Sequence, residues 1–407
     1  MSYSNYTESL LDLKDVIVTN VKTEGDIRFI CLEQKRMPHI CSACGSEADR
    51  IHDYRVQPVK DIPSMGKHTL LLFRKKRYVC PGCGRRIPEN VTFLSRYQRM
   101  TGRMQQYIIS RFSQSRSAQS IALECGCSLT TAIRMFDRVS YPLPSLPPVI
   151  SIDEFKGNAG GHKFQCILTN PKKRALLDIL ESRSLESLCS YFNQFDKGQK
   201  NSVQHVVMDM SGEFRSMARA VFPKAKIVAD KFHVCRQVTW AFERTRIKAQ
   251  KEFGPERRKY FKKSRWIMLK RKKNLTEEEK QQLEVMLSLS QEIRNAYLLK
   301  EKFYEFMDSE DWEMARLRLK EWNLYAGVVN LPEFNKAVNT FCNWSTEILE
   351  AFRTGFTNGY TEGMNNKTKV LKRACYGVKN FSRFRNRLLY MANSHEQKNC
   401  IKSAALA

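Results

Sequence analysis

The chain has 407 residues, 42% hydrophobic and 11% aromatic, so two or three domains with real cores are expected and wholesale disorder is excluded. Its 69 Lys and Arg against 42 Asp and Glu leave a net charge of +27, which points to a polyanion such as nucleic acid as partner. No apolar run approaches the roughly 18 residues of a membrane span, and the start, with Glu8 and Asp12, lacks the basic-then-apolar layout of a secretory signal, so cytoplasmic residence is the expectation.

In chain order, residues 1–95 alternate short β-rich runs (16–18, 27–32 and 68–73) with turn residues and predict a small β-rich module. It holds two cysteine pairs, Cys41-Ser-Ala-Cys44-Gly and Cys80-Pro-Gly-Cys83-Gly, separated by 35 residues. Each pair puts two thiols on a tight turn that Gly45 and Gly84 help to close, the geometry in which four thiolates hold one structural Zn²⁺ with no open position. The bland alternative is a set of unrelated free thiols. Arg74, Lys75, Lys76 and Arg77 form either a phosphate-contacting strand or a solvated face.

Residues 96–140 carry apolar positions at helical spacing. Ser117, the Ile121-Ala122 pair, Gly126 and Ser128 lay out two helices joined by a glycine turn, with Ile133 expected to pack back on Ile121. In this helix-turn-helix, Ser128 starts the second helix, and Thr130, Thr131 and Arg134 would face DNA; a helical hairpin that binds nothing is the alternative. Residues 141–148 hold four prolines and read as an extended linker.

Strand-like runs come next at 149–155, 163–169, 175–181, 203–208 and 226–229, with a helix from about Leu185, so 149–233 predicts a mixed sheet flanked by helices. Residues 234–354 turn helical and charge-rich, with a capping start at Thr276, and read as a helical insertion; residues 355–407 end in basic helices. The fold class is therefore α/β and multidomain. Asp153 ends an apolar strand beside Glu154, and Asp209 ends another before a Gly-containing turn. Facing carboxylates repel unless cations lie between them, which is the logic of a Mg²⁺ site acting on phosphates; taken singly, each is a loop cap. Asp230 and His233 stand at a further strand-to-helix junction, as helix cap and core partner or as active-site groups. Glu362 is followed by eight Lys or Arg and no acid before Glu396, among them Lys367, Lys369, Lys372 and Arg373, a candidate phosphate-holding face. Residues 244–273 hold fourteen Lys or Arg against two Glu, net +12; Arg257, Arg258, Lys262 and Lys263 mark a candidate DNA track, or a solvated charged helix.

The order of knuckles, helix-turn-helix, Ile-Asp153-Glu154-Phe, Met-Asp209-Met-Ser, Ala-Asp230-Lys-Phe-His233 and Thr-Glu362-Gly-Met-Asn-Asn-Lys resembles the ISL-three family of bacterial insertion-sequence transposases over essentially the whole chain. The resemblance implies a ribonuclease H-like DDE domain with Asp153, Asp209 and Glu362 as catalytic carboxylates around Mg²⁺ or Mn²⁺, and Asp230-x-x-His233 as the family's Asp-x-x-His motif. Asp230 also ends a strand and competes with Asp209 for the role of second carboxylate. The same resemblance implies a DNA-cleaving and strand-transferring enzyme that binds double-stranded DNA at the element's terminal inverted repeats, works as a homodimer or larger assembly, and is nucleoid-associated when bound. A zinc-dependent DNA-binding regulator with an inactive transposase-like domain is the runner-up, and a nuclease of the same fold the third reading.

Overall fold

A computed structural model describes residues 11–13, 15–91, 93–95, 97–262 and 264–404, with side chains through 393. The chain divides into two compact units, residues 1–140 with 373–376, and residues 141–372 with 377–407.

The first unit opens with β1 (Val16–Glu24), β2 (Ile27–Gln34), β3 (His39–Ile40), β4 (Glu47–Ala48), β5 (Ile51–Ser64), β6 (Lys67–Val79) and β7 (Arg86–Pro88). Its main sheet runs β1-β2-β6-β5 with β7 also on β6, antiparallel except where β2 meets β6. The β5–β6 hairpin turns on Met65 and Gly66, at φ +50° and +75°, the two positive φ values that a type I′ turn requires. The sequence run 68–73 is only the first half of β6. Strand β5 escapes a pattern search because Pro58 and Pro63 interrupt it and most of its outward residues face water. Val16, Ile30, Leu32, Val59, Leu71 and Phe73 form the core beneath the sheet.

Three helices complete this unit: α1 (Gly102–Arg111), α2 (Ala118–Glu124) and α3 (Leu129–Phe136). Thr101, Ser117 and Ser128 each accept a backbone N–H at a helix start. Gly126 sits at φ +59°, where an added Cβ would also lie 2.8 Å from the His68 ring. The inward face of α3 belongs to Ala132 and Phe136, whose ring stacks on Phe112 at 4.4 Å, whereas Ile133, expected to be the packing residue, is only half-buried.

In the second unit, β8 (Val149–Phe155), β9 (Gln165–Asn170), β10 (Ala175–Leu180), β11 (His205–Met208) and β12 (Lys226–Ala229) form a sheet ordered β10-β9-β8-β11-β12. The first three strands are antiparallel, and β8, β11 and β12 are parallel. Helices α4 (Leu185–Phe192), α5 (Lys197–Ser202) and α6 (Gly212–Val221) supply the intervening connections. Near-continuous apolar strands such as Val149-Ile-Ser-Ile are what a sheet covered on both faces demands. Ile150, Ile152, Leu168, Val206 and Met208 pack with Phe192 and Phe214 in one cluster, and Val149, Val207 and Val228 with Ala351 in another.

The insertion comprises α7 (Lys231–Lys251), α8 (Pro255–Arg258), α9 (Ser264–Leu269), α10 (Glu277–Ser288), α11 (Gln291–Met307), α12 (Trp312–Val329), α13 (Pro332–Asn343) and α14 (Ser345–Thr354). Thr276 closes a capping box with Glu279. A separate core of Phe303, Trp322, Phe334 and Phe341 holds the helices together. The boundary expected between 233 and 234 falls inside α7, which starts directly from β12, so strand and insertion are continuous. Helices α15 (Gly359–Ala374) and α16 (Phe381–Ala404) end the chain. Among the described residues no helix is long and apolar enough to cross a membrane.

Candidate active site and nucleic-acid interface

The strand alternation that buries Ile150 and Ile152 decides which acid of the Asp153-Glu154 pair turns inward. Asp153 is buried, and Glu154 is half-buried and ion-paired with Arg183. Asp209 leaves the end of β11 and Asp230 the end of the adjacent parallel strand β12, so the two strands deliver both carboxylates to the same sheet edge. Helix α15 brings Glu362 and, one turn on, Asn365.

Asp153, Asp209, Glu362 and Asn365 line one pocket of about 400 Å³ with Glu154, Phe232, His233, Arg236, Asn366 and Lys369, while Asp230 stands behind it against His233. Ligand atoms of Asp153, Asp209 and His233 lie within 4.8 Å of one another, as do those of Asp230, His233 and Glu362. Asp153, Asp209 and Glu362 thus share the pocket, but among the described residues the three do not form a group at that spacing; His233 is common to both groups.

Hydrogen bonds fix the acids unequally. Asn365 Nδ2 donates to Asp153 Oδ2 at 2.8 Å, and the Glu154 N–H to Asp153 Oδ1 at 2.8 Å. The Ser211 N–H donates to Asp209 Oδ1 at 3.2 Å. Asp230 occupies the N-cap position of α7 without a side-chain cap bond. Its Oδ1 accepts the Asn358 N–H at 3.0 Å and its Oδ2 faces His233 Nδ1 at 3.0 Å. Asn358 also accepts from Ser151 Oγ, and the Thr361 hydroxyl meets Ser151 and Thr169 at 2.8 Å each, a buried network binding α15 to β8 and β9. Asn358, Asn365 and these hydroxyls hold the site, yet sequence reading gives them no role. Asn365 has one usable signal, its i+3 spacing from Glu362; Asn358 has none.

Burial pushes the Asp153 carboxyl up to about 6, with Asp209 and Asp230 adding to the push and the Glu154 N–H and His233 opposing it. Burial likewise raises Asp209, helped by Glu154, and raises Glu362, helped by Asp230. Burial alone would lower His233, but the Asp230 carboxylate outweighs it and holds the imidazole above its ordinary value. Desolvated acids crowded this way repel one another in the absence of cations, and oxygen donors with one imidazole suit hard divalent ions such as Mg²⁺ or Mn²⁺.

The four knuckle sulfurs also lie within 4.8 Å of one another, with Cys41 Sγ 3.6 Å from Cys83 Sγ and Cys44 Sγ 3.4 Å from Cys80 Sγ. Tetrahedral ligands at about 2.3 Å from zinc would stand roughly 3.8 Å apart. The Gly45 and Gly84 N–H groups donate to Cys41 and Cys80 carbonyls, with both glycines at positive φ. Four clustered thiols on two such turns support a structural zinc.

The basic residues divide into paired and outward-facing ones. Lys76 is buried beside Glu89 and donates to the Gln34 carbonyl, and Arg77 is paired with Asp53, so those two are not part of a phosphate-contacting strand. Ser128 spends its hydroxyl on the α3 cap, in contact with Thr131; Thr130 and Arg134 are exposed. Ser128, Thr131 and Arg134 share a recess of about 520 Å³ with Lys60, Arg99 and Arg138 and no acid. After Glu362, Lys369 lines the carboxylate pocket, Lys367 lines a neighbouring recess, Arg373 is exposed, and Lys372 Nζ donates to the Lys156 carbonyl at 2.8 Å. Arg385 pairs with Asp178 and Arg387 is buried, so neither belongs to a phosphate-holding face. In the insertion, Arg246, Lys248, Arg265, Lys270, Arg271 and Lys273 are ion-paired within it, while Arg257, Arg258 and Lys262 are exposed. Lys263 lies outside the described residues.

Comparison with known proteins yields three family matches in chain order. Residues 37–86 match the zinc-finger of transposase IS204/IS1001/IS1096/IS1165, 89–140 the helix-turn-helix domain of transposase family ISL3, and 150–388 the transposase domain of the same family. A transposase for insertion sequence element IS1001 from Bordetella parapertussis is 27% identical over 348 residues, 84% of this chain and 85% of the relative. A transposase for insertion sequence element IS1557 from Mycobacterium tuberculosis is 22% identical over 256 residues, 56% of each. These findings support the transposase reading and not the regulator.

Proposed function

Since the chain belongs to the ISL3 family of insertion-sequence transposases, DNA-binding enzymes that cut and transfer strands, we propose that Asp153, Asp209 and Glu362 are its catalytic carboxylates and hold divalent magnesium or manganese. When bound, such ions stabilise the attacking and leaving oxygens of an in-line phosphoryl displacement. The chain's own part is to aim the carboxylates and admit the DNA backbone. Asn365 fixes the rotamer of Asp153 through its donated bond, and the Ser211 N–H does the same for Asp209. Lys369, exposed at the rim, supplies positive charge for a phosphate oxygen.

The single observation that carries this reading is the shared pocket, in which the acids stand within a chain that matches the transposase family from 150 to 388. The competition between Asp209 and Asp230 is weighed by their bonds. Both Asp230 oxygens have partners at 3.0 Å, one of them the His233 imidazole, which suits a positioning role; one Asp209 oxygen accepts a single long N–H bond, leaving coordination capacity. The zinc module and helix-turn-helix bind the element's terminal inverted repeats, and pairing two ends calls for a homodimer or larger assembly.

The test is excision in cells from a reporter carrying the gene's own flanking DNA. Asp153→Ala, Asp209→Asn and Glu362→Gln are expected to abolish excision. Full excision by Asp209→Asn together with loss in Asp230→Asn would transfer the second ligand to Asp230.

A further inference from the structure

Helix α7 leaves the carboxylate pocket with an exposed aromatic face. Phe232, Arg236 and Trp240 succeed one another at four-residue intervals and so lie on one side of the helix. Phe232 is 53% exposed and Trp240 47% exposed. Between them the Arg236 guanidinium sits 4.6 Å from the Trp240 ring centre and 5.9 Å from that of Phe232. Phe232 and Arg236 line the same pocket as Asp153, Asp209 and Glu362. Arg236 has no ion pair among the described residues, although it half-buries itself beside a pocket rich in acid.

Large rings left in water beside a pocket for DNA call for a partner that offers flat apolar faces and tolerates a cation. A base inside a duplex has both faces covered by its neighbours; only a base withdrawn from the stack presents a free face. Aromatic rings and Arg planes are the groups on which such bases stack. The eight-residue reach from Phe232 to Trp240 is about 12 Å, the length of three to four stacked base steps. The face therefore begins where the scissile phosphate would lie and extends along the strand that adjoins it.

Resting on the catalytic reading of the pocket, we propose that Phe232, Arg236 and Trp240 form a stacking ladder that receives unpaired bases of the DNA strand being processed, Arg236 serving as the rung between the rings. DNA strands must part at the junction of element and flank for the ladder to be filled. The three are positioning residues for the DNA, distinct in role from the acids.

The experiment uses the full-length protein and DNA of the gene's own flank, either fully paired or forked by a few mismatches at the junction. Wild type is expected to bind the fork about tenfold tighter than the paired duplex, the size of one base–aromatic stack. Trp240→Ala and Phe232→Ala are expected to lose that preference with unchanged melting temperature and unchanged affinity for paired duplex, and Trp240→Phe, which keeps a ring, to retain most of it. A 5-iodouracil placed in the fork is expected to photocrosslink to α7. Equal binding of fork and duplex by wild type, or full fork preference in the Phe232→Ala/Trp240→Ala double variant, would overturn the ladder. Asp153→Asn separates the two readings: it is expected to keep fork preference while losing cleavage. Normal cleavage by Asp153→Asn would refute the catalytic assignment and leave the fork comparison to decide the ladder.

Discussion

The zinc knuckles and the carboxylate pocket are both clusters of metal-ligating side chains, but they are built in opposite ways. Each knuckle is local: two thiols three residues apart, a positive-φ glycine, and short backbone bonds that form before any distant contact is needed. The carboxylate pocket is assembled from two strand ends and two helices, and Asp153 and Asn365, which touch at 2.8 Å, are 212 residues apart. A local thiol cluster holds its module together, whereas a distant acid cluster is a burden the surrounding fold must carry. The two should therefore respond oppositely to loss of a ligand: the first in stability, the second in activity.

The largest expected effect lies on the zinc side. Cys80→Ser, or strong chelation of the wild type, should reduce bound zinc from about one per chain to none and unfold the first unit. Apparent zinc binding energies of about 10–16 kcal/mol in small fingers are comparable with the whole net stability of an ordinary domain. Metal analysis with two-transition calorimetry measures this; the melting of the second unit should persist.

On the acid side, Asp153→Asn should lower DNA cleavage by at least about a thousandfold, the scale set by losing a transition-state charge interaction. Its melting temperature without divalent metal should hold or rise, because the substitution removes one charge from a crowd of desolvated acids. A fall of many degrees would show that this pocket, too, is structural. Asp230→Asn should cost less, about 10- to 100-fold in cleavage, since it disturbs the orientation of His233 and the Asn358 loop.

Smaller effects should mark the DNA-facing bases. Replacing Arg257, Arg258 and Lys262 with Ala should reduce the slope of log affinity against log salt by about two to three, near 0.9 per lost phosphate contact. Arg134→Ala should cost about 1–3 kcal/mol of discrimination for the terminal sequence with little change in the salt slope, as measured by competition between specific and random duplexes.

This contrast in construction also decides what is legible in the sequence. The two knuckles can be read from spacing because everything that closes them lies within five residues. Asp153 and Asp209 are legible as acids ending apolar strands, and the boundaries of β8 and β12 are set by clean apolar runs. Glu362 stands on a helix with no periodic feature of its own, and its place in the site comes from the family resemblance. Asn358 and the Ser151, Thr169 and Thr361 hydroxyls are invisible, because a buried hydrogen bond depends on partners brought together by tertiary folding. The same cause hides the pairing of Arg385, whose partner Asp178 lies 207 residues away, and that of Lys76 and Arg77. A basic run in sequence does not tell which of its members the fold has already neutralised.

The assignment of the acids is tested most directly by titrating Mn²⁺ into the full-length protein and counting bound ions by electron paramagnetic resonance, with Asp153→Asn, Asp209→Asn, Glu362→Gln and Asp230→Asn alongside. Weakened Mn²⁺ binding in the first three variants, by about tenfold or more, with near-normal binding in Asp230→Asn is the predicted result. Wild-type Mn²⁺ affinity in Asp209→Asn, with binding lost in Asp230→Asn, would contradict it.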